Sequence, residues 1–380
     1  MSATLRHAAG SLMVVGLEGA ELTGLERAWL RLVRPAGVIL FRRNIANAAQ
    51  TRALLEEATG LSAPDAFRCV DAEGGTVDRL RDALAPMPSA QAVAHAMRFG
   101  GLHNAPGRQG ELIARGVRAF GFNTTLAPVL DLALPDSAVV MGTRSVAAVA
   151  EGVIAYARGF LRGLAAHGVA GCGKHFPGLG GGQRDSHVET PSIVRGWREL
   201  WREDLAPYLA LCEELPMVMV NHAAYPKTSG GKKPASASGY WIKTVLRKRI
   251  GYRGVIFSDD MEMGGILKFM PMEDAAIEAV RAGMDTVEIC HSAELILRAY
   301  ESLVREAERS AAFRTLLMNC AWEVGRKRKK LFKNGAGRAL TAKQFEALRM
   351  EITRFCDEVT RACEGFPSDV LRRETLVETA

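Results

Sequence analysis

Two short stretches of the 380-residue chain gather side chains that could move a proton or attack an electrophile. One is Gly173-Lys174-His175-Phe176-Pro177-Gly178, followed across Leu179-Gly180-Gly181-Gly182 by Asp185-Ser186-His187. Its glycines suit a loop laid over a site. An aspartate two residues from a histidine can fix the imidazole tautomer and raise its basicity, which makes a proton shuttle near neutral pH. Taken alone, the same spacing also describes an ordinary surface pair. The other stretch is Ser258-Asp259-Asp260, which follows the apolar run Gly254-Val255-Ile256-Phe257. Two carboxylates at a strand end are costly to desolvate unless a cation, a metal or a substrate compensates. Capping a helix N-terminus is the plainer use for one of them. Adjacent residues leaving a strand point to opposite sides, so one aspartate is expected to face a ligand and the other to anchor the chain.

Asp71, His175, His187, His222, Asp259 and Asp260 include good metal ligands, but no HxH or HExxH spacing joins them. Arg79, Arg144 and Lys174 are interspersed with them, and cations among carboxylates suit an anion or a polyhydroxyl ligand better than a divalent metal. Neither a metal nor any other cofactor is expected.

Such residues must be positioned by something, and the chain supplies it. Eight short β-rich runs recur: Leu12–Val15, Val38–Phe41, Phe67–Val70, Thr124–Val129, Val169–Cys172, Met217–Val220, Val255–Phe257 and Thr286–Ile289. Helix-like stretches such as Gln109–Phe120, Glu151–Ala166, Trp197–Glu213 and Met272–Ala282 lie between them. Polar residues follow at least six of the runs, among them Arg42-Arg43-Asn44, Asp71-Ala72-Glu73, Asp131, Lys174-His175 and Asn221-His222. An open doubly wound sheet would concentrate its ligand contacts at one switch point. Chemistry gathered after many strands instead predicts a (β/α)8 TIM barrel, an α/β fold whose site lies at the C-terminal face. Residues 1–300 are read as this catalytic domain. Residues 301–380 are read as helices packed on the barrel, with Ala293–Ala307, Ala311–Phe332 and Ala342–Cys363 as the helical runs.

Composition agrees with a soluble globular enzyme: 48% of residues are apolar, enough for a large core, and 24% are charged. The net charge of +7 comes from 49 basic against 42 acidic residues, a mixed surface that argues against nucleic acid as a partner. The basic run Arg326–Lys330 reads as the solvated end of a late helix. Seven cysteines, odd in number and never in a CxxC, predict free thiols in a reducing compartment. Leu12–Gly16 is far too short to span a bilayer and no basic-then-apolar leader opens the chain, so a cytoplasmic protein without a membrane partner is expected.

Taken together, the motifs resemble glycoside hydrolase family 3, in its single-domain β-N-acetylglucosaminidase branch. The resemblance rests on Gly37–Phe41, Val70-Asp71-Ala72-Glu73-Gly74-Gly75-Thr76-Val77-Asp78-Arg79, Leu126–Asp131, and Gly142-Thr143-Arg144-Ser145. It continues through Lys174–Gly178, Asp185-Ser186-His187, Pro234–Ser238, Gly254–Met261 and Ala282–Asp285, in the family's order. It implies that Asp259 is the nucleophile of a covalent glycosyl-enzyme and His187 the acid/base, with Asp185 as its partner. It also implies that Asp71, Arg79, Arg144, Lys174 and His175 bind the hydroxyls of the terminal sugar. Leu179 stands where the family often has histidine.

A retaining glycosidase needs a nucleophile and an acid/base about 5–5.5 Å apart, and a loop histidine can serve as the second. The resemblance therefore implies an exo-acting hydrolase of β-linked N-acetylglucosamine, taking anhydro-muropeptides in cytoplasmic peptidoglycan recycling. A phosphorylase is the alternative reaction class, since a neutral imidazole repels phosphate less than a carboxylate does.

Overall fold

The computed structural model of the chain describes residues 2–63, 65–182, 191–333, 335 and 337–364. Its centre is a closed barrel of eight parallel strands: β1 (Met13–Gly16), β2 (Gly37–Leu40), β3 (Phe67–Val70), β4 (Thr124–Thr125), β5 (Ala170–Phe176), β6 (Met217–Val220), β7 (Val255–Asp260) and β8 (Thr286–Ile289). Neighbours pair in chain order, and β8 closes on β1 with Glu288 opposite Val14. Nearly every strand residue is buried, which is why the strands read as unbroken apolar runs rather than alternations. All eight expected strands are present, and the fold is the α/β barrel anticipated.

The differences in strand length bear on the site. β5 was expected to stop at Cys172 and β7 at Phe257, yet they run on to Phe176 and Asp260. Lys174, His175 and Asp259 are therefore held by strand ladders rather than by loops. β4 stops at Thr125, short of the expected Val129, because Pro128 has no N–H for the ladder. One bridge re-forms beyond it, between Val129 and Lys174.

The surrounding helices cover the strands. Ala105–Ala119 and Ala150–Ala166 cross closely enough that a Cβ on Gly110 would lie 2.2 Å from the Phe160 carbonyl oxygen, and one on Gly163 2.3 Å from that of Gly107. Any larger residue there would force the two helices apart. The single helix expected over 197–213 is two, Trp197–Arg202 and Ala206–Ala210, since Pro207 offers no N–H to Glu203 and instead starts the second helix. Tyr240–Arg249, to which the sequence reading gave no element, winds as a π-helix.

Past the barrel, Ala293–Arg309 and Ala311–Leu331 pack on the N-terminal helix Ser2–Gly10. Residue 300, where the division was expected, lies inside the first of them. Ala342–Ala362 buries Leu348, Ile352, Phe355 and Val359, a single helical stripe, and packs on Ala90–Arg98 and Ala105–Ala119. The basic run is only partly solvated. Arg326, Lys329 and Lys330 are exposed, but Lys327 bonds Asp285 Oδ2 at 2.8 Å and the buried Arg328 donates to the Ala36 carbonyl at 3.0 Å. No described helix is long and apolar enough to cross a membrane.

Candidate active site

The C-terminal ends of β3, β5 and β7 bring one layer of charge together. The hairpin Ala72–Gly74/Val77–Asp78 leaves β3 and carries Glu73, which is 3% exposed. Arg144 grips Glu73 with two parallel bonds, Nε to Oε2 and Nη2 to Oε1, both 2.9 Å. Lys174 Nζ lies 2.6 Å from Glu73 Oε1 and 2.8 Å from Asp71 Oδ1. Burial by itself would raise Glu73, but the charges and hydrogen bonds of Arg144 and Lys174 override it and hold the carboxyl at about 2. The same contacts push Lys174 and Arg144 upward against their own burial. All three groups are therefore charged at neutral pH.

His175 is fixed from the other side. Asp131, 1% exposed, accepts the His175 backbone N–H at 3.1 Å and lies 2.6 Å from Nδ1. A carboxylate can only accept, so Nδ1 carries the proton, which turns Nε2 toward Arg144 Nη2, 3.5 Å away. The other Asp131 oxygen accepts the Leu179 N–H at 2.7 Å. Leu179, where a histidine is frequent in the resembled family, is itself buried, and its backbone serves to tie the start of the glycine-rich stretch to the barrel.

Asp259 is half-buried at the end of β7. Burial works against its ionisation, but His175, His222, Lys174 and the Asp260 N–H together outweigh it and hold Asp259 below its ordinary range. His222 is pinned between Ser236 Oγ at 2.7 Å and the Asp260 carbonyl at 2.9 Å, so its Nε2 carries a proton. Asp260 behaves as an anchor. Its Oδ1 accepts the Glu262 N–H at 3.0 Å, and burial, with the charges of Glu262 and Asp259, raises it to about 7.

Of the expected sugar-binding set, Asp71, Arg144, Lys174 and His175 share one cluster, next to Asp259. Arg79 is placed by different contacts. Its backbone N–H donates to the Asp71 carbonyl, but its guanidinium lies 5.7 Å above the Phe41 ring, on a rim it shares with Arg43 and His291. Asp185 and His187 lie outside the described residues. Among those described, no group of three or more His, Cys, Asp or Glu is arranged to hold a metal ion. Sequence reasoning gave no role to Glu73 or Asp131, although both follow strands, and it passed over Glu288. The signal for Glu288 was present: a lone acid inside the apolar run of β8.

The cluster has the composition of a polyhydroxyl-binding pocket, with acceptors and donors fixed by one another and one ionised carboxylate available for attack. Comparison with known proteins points the same way. Residues 4–314 match the model of the glycosyl hydrolase family 3 N-terminal domain. A beta-hexosaminidase of Pseudomonas aeruginosa is 38% identical over 297 residues, covering 77% of this chain and 87% of its own. A glycoside hydrolase family 3 β-N-acetylglucosaminidase from Paenibacillus sp. str. FPU-7 superposes with a TM-score of 0.83 at 28% identity, covering 93% of this chain and 68% of its own. NagZ from Neisseria gonorrhoeae, in complex with N-trifluoroacetyl-D-glucosamine, does so with a TM-score of 0.70 at 30% identity, covering 83% and 98%.

Proposed function

The chain belongs to glycosyl hydrolase family 3, and on that basis we propose that it is a retaining exo-β-N-acetylglucosaminidase working through a covalent glycosyl-enzyme on Asp259. The observation that carries this reading is an Asp259 carboxylate kept ionised at a strand end beside Asp71, Lys174 and His175. Asp259 attacks the anomeric carbon, and the leaving oxygen takes a proton from His187, which Asp185 orients. The same imidazole then deprotonates the water that releases the sugar. Asp71, Arg144, Lys174 and His175 hold the terminal sugar, with Arg79 closing the rim.

The sugar class is supported by the beta-hexosaminidase relative and by the N-trifluoroacetyl-D-glucosamine bound to the Neisseria neighbour. Muropeptides of cytoplasmic cell-wall recycling are the proposed natural substrates, and residues 1–300 the proposed catalytic domain. Hydrolysis is favoured over phosphorolysis because Arg144 and Lys174 are already neutralised by Glu73 and Asp71. The ionised Asp259 is then left to repel a phosphate at the anomeric carbon.

A 5-fluoro N-acetylglucosamine analogue that forms the glycosyl-enzyme but hydrolyses slowly should label one peptide, with the added mass on Asp259. Label on Asp260, or no covalent species in an active enzyme, overturns the assignment. Sugar 1-phosphate formed on adding phosphate would instead support the phosphorylase.

A further inference from the structure

Asp185 and His187 lie between two pieces of chain that the structure does describe, residues 178–182 and 191–195, and each piece is tied to the barrel. On the first, Asp131 accepts the Leu179 N–H, and the Tyr225 hydroxyl donates to the Gly178 carbonyl at 2.7 Å. On the second, the Ile193 N–H donates to the Ala224 carbonyl, and the Ala224 N–H donates to that of Pro191, both at 2.8 Å.

The side chain of Arg195 joins the two. Its stem lies across Gly181, where an added Cβ would come within 2.7 Å of Arg195 Cδ. Ile193 covers Gly182 in the same way, with its Cδ1 2.9 Å from such an atom. The Arg195 guanidinium reaches the break between the helices Trp197–Arg202 and Ala206–Ala210, where Nη2 bonds Glu203 and Nε lies 3.0 Å from Asp204 Oδ2. The Asp204 side chain is fully buried and backs onto Gly178, whose added Cβ would stand 2.8 Å from its own. The contact between Arg195 and Asp204 is one of charge, since neither Nε nor either carboxylate oxygen has an aligned hydrogen bond among the described residues. Three glycines, at 178, 181 and 182, are thus the places where Asp204, Arg195 and Ile193 need room.

A general acid must come within hydrogen-bond reach of the leaving oxygen, and a misplacement of about 1 Å costs about 10²-fold. A side chain carried between two strand ends keeps that accuracy only if the chain flanking it is held. We propose that Arg195 is a positioning residue of the reaction: by bridging Gly181 to Asp204 it clasps the two ends of the segment that carries Asp185 and His187, and so holds them in register with the leaving oxygen. This rests on the reading of His187 as the acid/base. Arg195 acts through the clasped ends, so its loss should weaken proton delivery and leave attack by Asp259 nearly intact.

The test measures kcat/KM on two N-acetyl-β-glucosaminides, the dinitrophenyl one, whose leaving group needs little protonation, and the phenyl one, whose leaving group needs a proton. Burial lifts Asp204 to about 7 against the pull of Arg195, so the comparison is made at about pH 8, where the pair is charged. Arg195→Ala should lose about ten- to a hundredfold on the phenyl substrate and stay within about threefold on the dinitrophenyl one. Arg195→Lys keeps the charge and should stay within about threefold on both. Gly181→Ala presses on the same contact from the other side and should show the same selective loss. In the double variant with Arg195→Ala the obstruction is gone, so it should be no worse than Arg195→Ala alone.

Activity on the dinitrophenyl substrate also reports that each variant is folded. Equal loss on both substrates, an unchanged phenyl substrate, a lysine variant no better than alanine, or additive losses in the double variant would each overturn the role of Arg195. His187→Ala, assayed alongside, separates this role from the reading it rests on. It should be selective in the same direction and more strongly. A selective His187→Ala beside an unselective Arg195→Ala overturns the positioning role alone. Equal loss of both substrates in His187→Ala overturns the acid/base reading, and the role of Arg195 with it.

Discussion

The two ends of the barrel each hold a buried acid between an arginine and a lysine, and they use the same ions differently. At the C-terminal end Glu73 is shared by Arg144 and Lys174. At the N-terminal end Asp285 Oδ2 takes Arg247 Nη2 at 2.6 Å and Lys327 Nζ at 2.8 Å. The lower set is stitched to the main chain. Asp285 also accepts the Ile256 N–H, Arg247 donates to the carbonyls of Tyr252 and Gly254, and Lys327 donates to that of Gly254. The side chains of Arg144 and Lys174 are bonded instead to the side chains of Glu73, Asp71 and His175. Ions tied to backbone hold strands in place, whereas ions tied only to one another can reorganise around a ligand. In a barrel whose chemistry sits at the C-terminal face, that difference separates the floor from the pocket.

The comparison breaks or holds first on a pair of variants. Asp259→Ala should abolish turnover while leaving the urea midpoint near that of wild type. Asp285→Asn should lower stability by about 3–5 kcal/mol, the usual cost of breaking a buried ion pair. It should leave kcat/KM unchanged at temperatures where it remains folded. A fall in kcat/KM of folded Asp285→Asn would erase the division. Glu73→Gln belongs to both categories. It should raise KM and also destabilise, by about 3 kcal/mol, because two buried cations lose their shared partner. Loss of stability without a change in KM would move Glu73 to the side of the floor.

Acid sharpens the contrast further. Glu73 is depressed from 4.5 to about 2 in the folded chain. Its contribution is therefore complete above pH 4.5 and disappears as pH falls toward 2. On the order of 3 kcal/mol should be lost across that window. Urea unfolding of wild type and Glu73→Gln through the window should converge toward acid, and parallel curves would count against the pairing. The smallest expected effect is that of EDTA, which should leave activity unchanged, since each acid of the pocket is read as serving sugar or proton chemistry. Loss restored by zinc or magnesium would reassign the cluster.

Legibility in the sequence followed the physics of each element. Strands buried on both faces announce themselves as apolar runs, and Phe67–Val70, Met217–Val220 and Thr286–Ile289 coincide with their expected ranges. The ends of β5 and β7 were cut short because Lys174, His175, Asp259 and Asp260 are polar residues on strand backbone, placed there by the ladder and not by hydropathy. Asp71, Lys174, His175 and Arg144 were found through motif order. Glu73 was not, because a buried acid is recognisable only once its cations are in place. Arg79 was carried over with its motif, and its guanidinium lies over the Phe41 ring. Lys327 and Arg328 looked like part of a solvated run because one-dimensional charge does not show which face of a helix turns inward.

Closure of β8 on β1 has a consequence for synthesis. Val14 leaves the ribosome long before its partner Glu288, and at about 5–20 residues per second the wait is on the order of half a minute. During that time β1 and each newest strand present open edges, the surfaces by which half-made sheets stick to one another. The helix Ala311–Leu331, which later settles on Ser2–Gly10, arrives only after the last strand. Closing the barrel therefore fastens an early segment to a late one, and the interval before that step is when a chaperone would matter most.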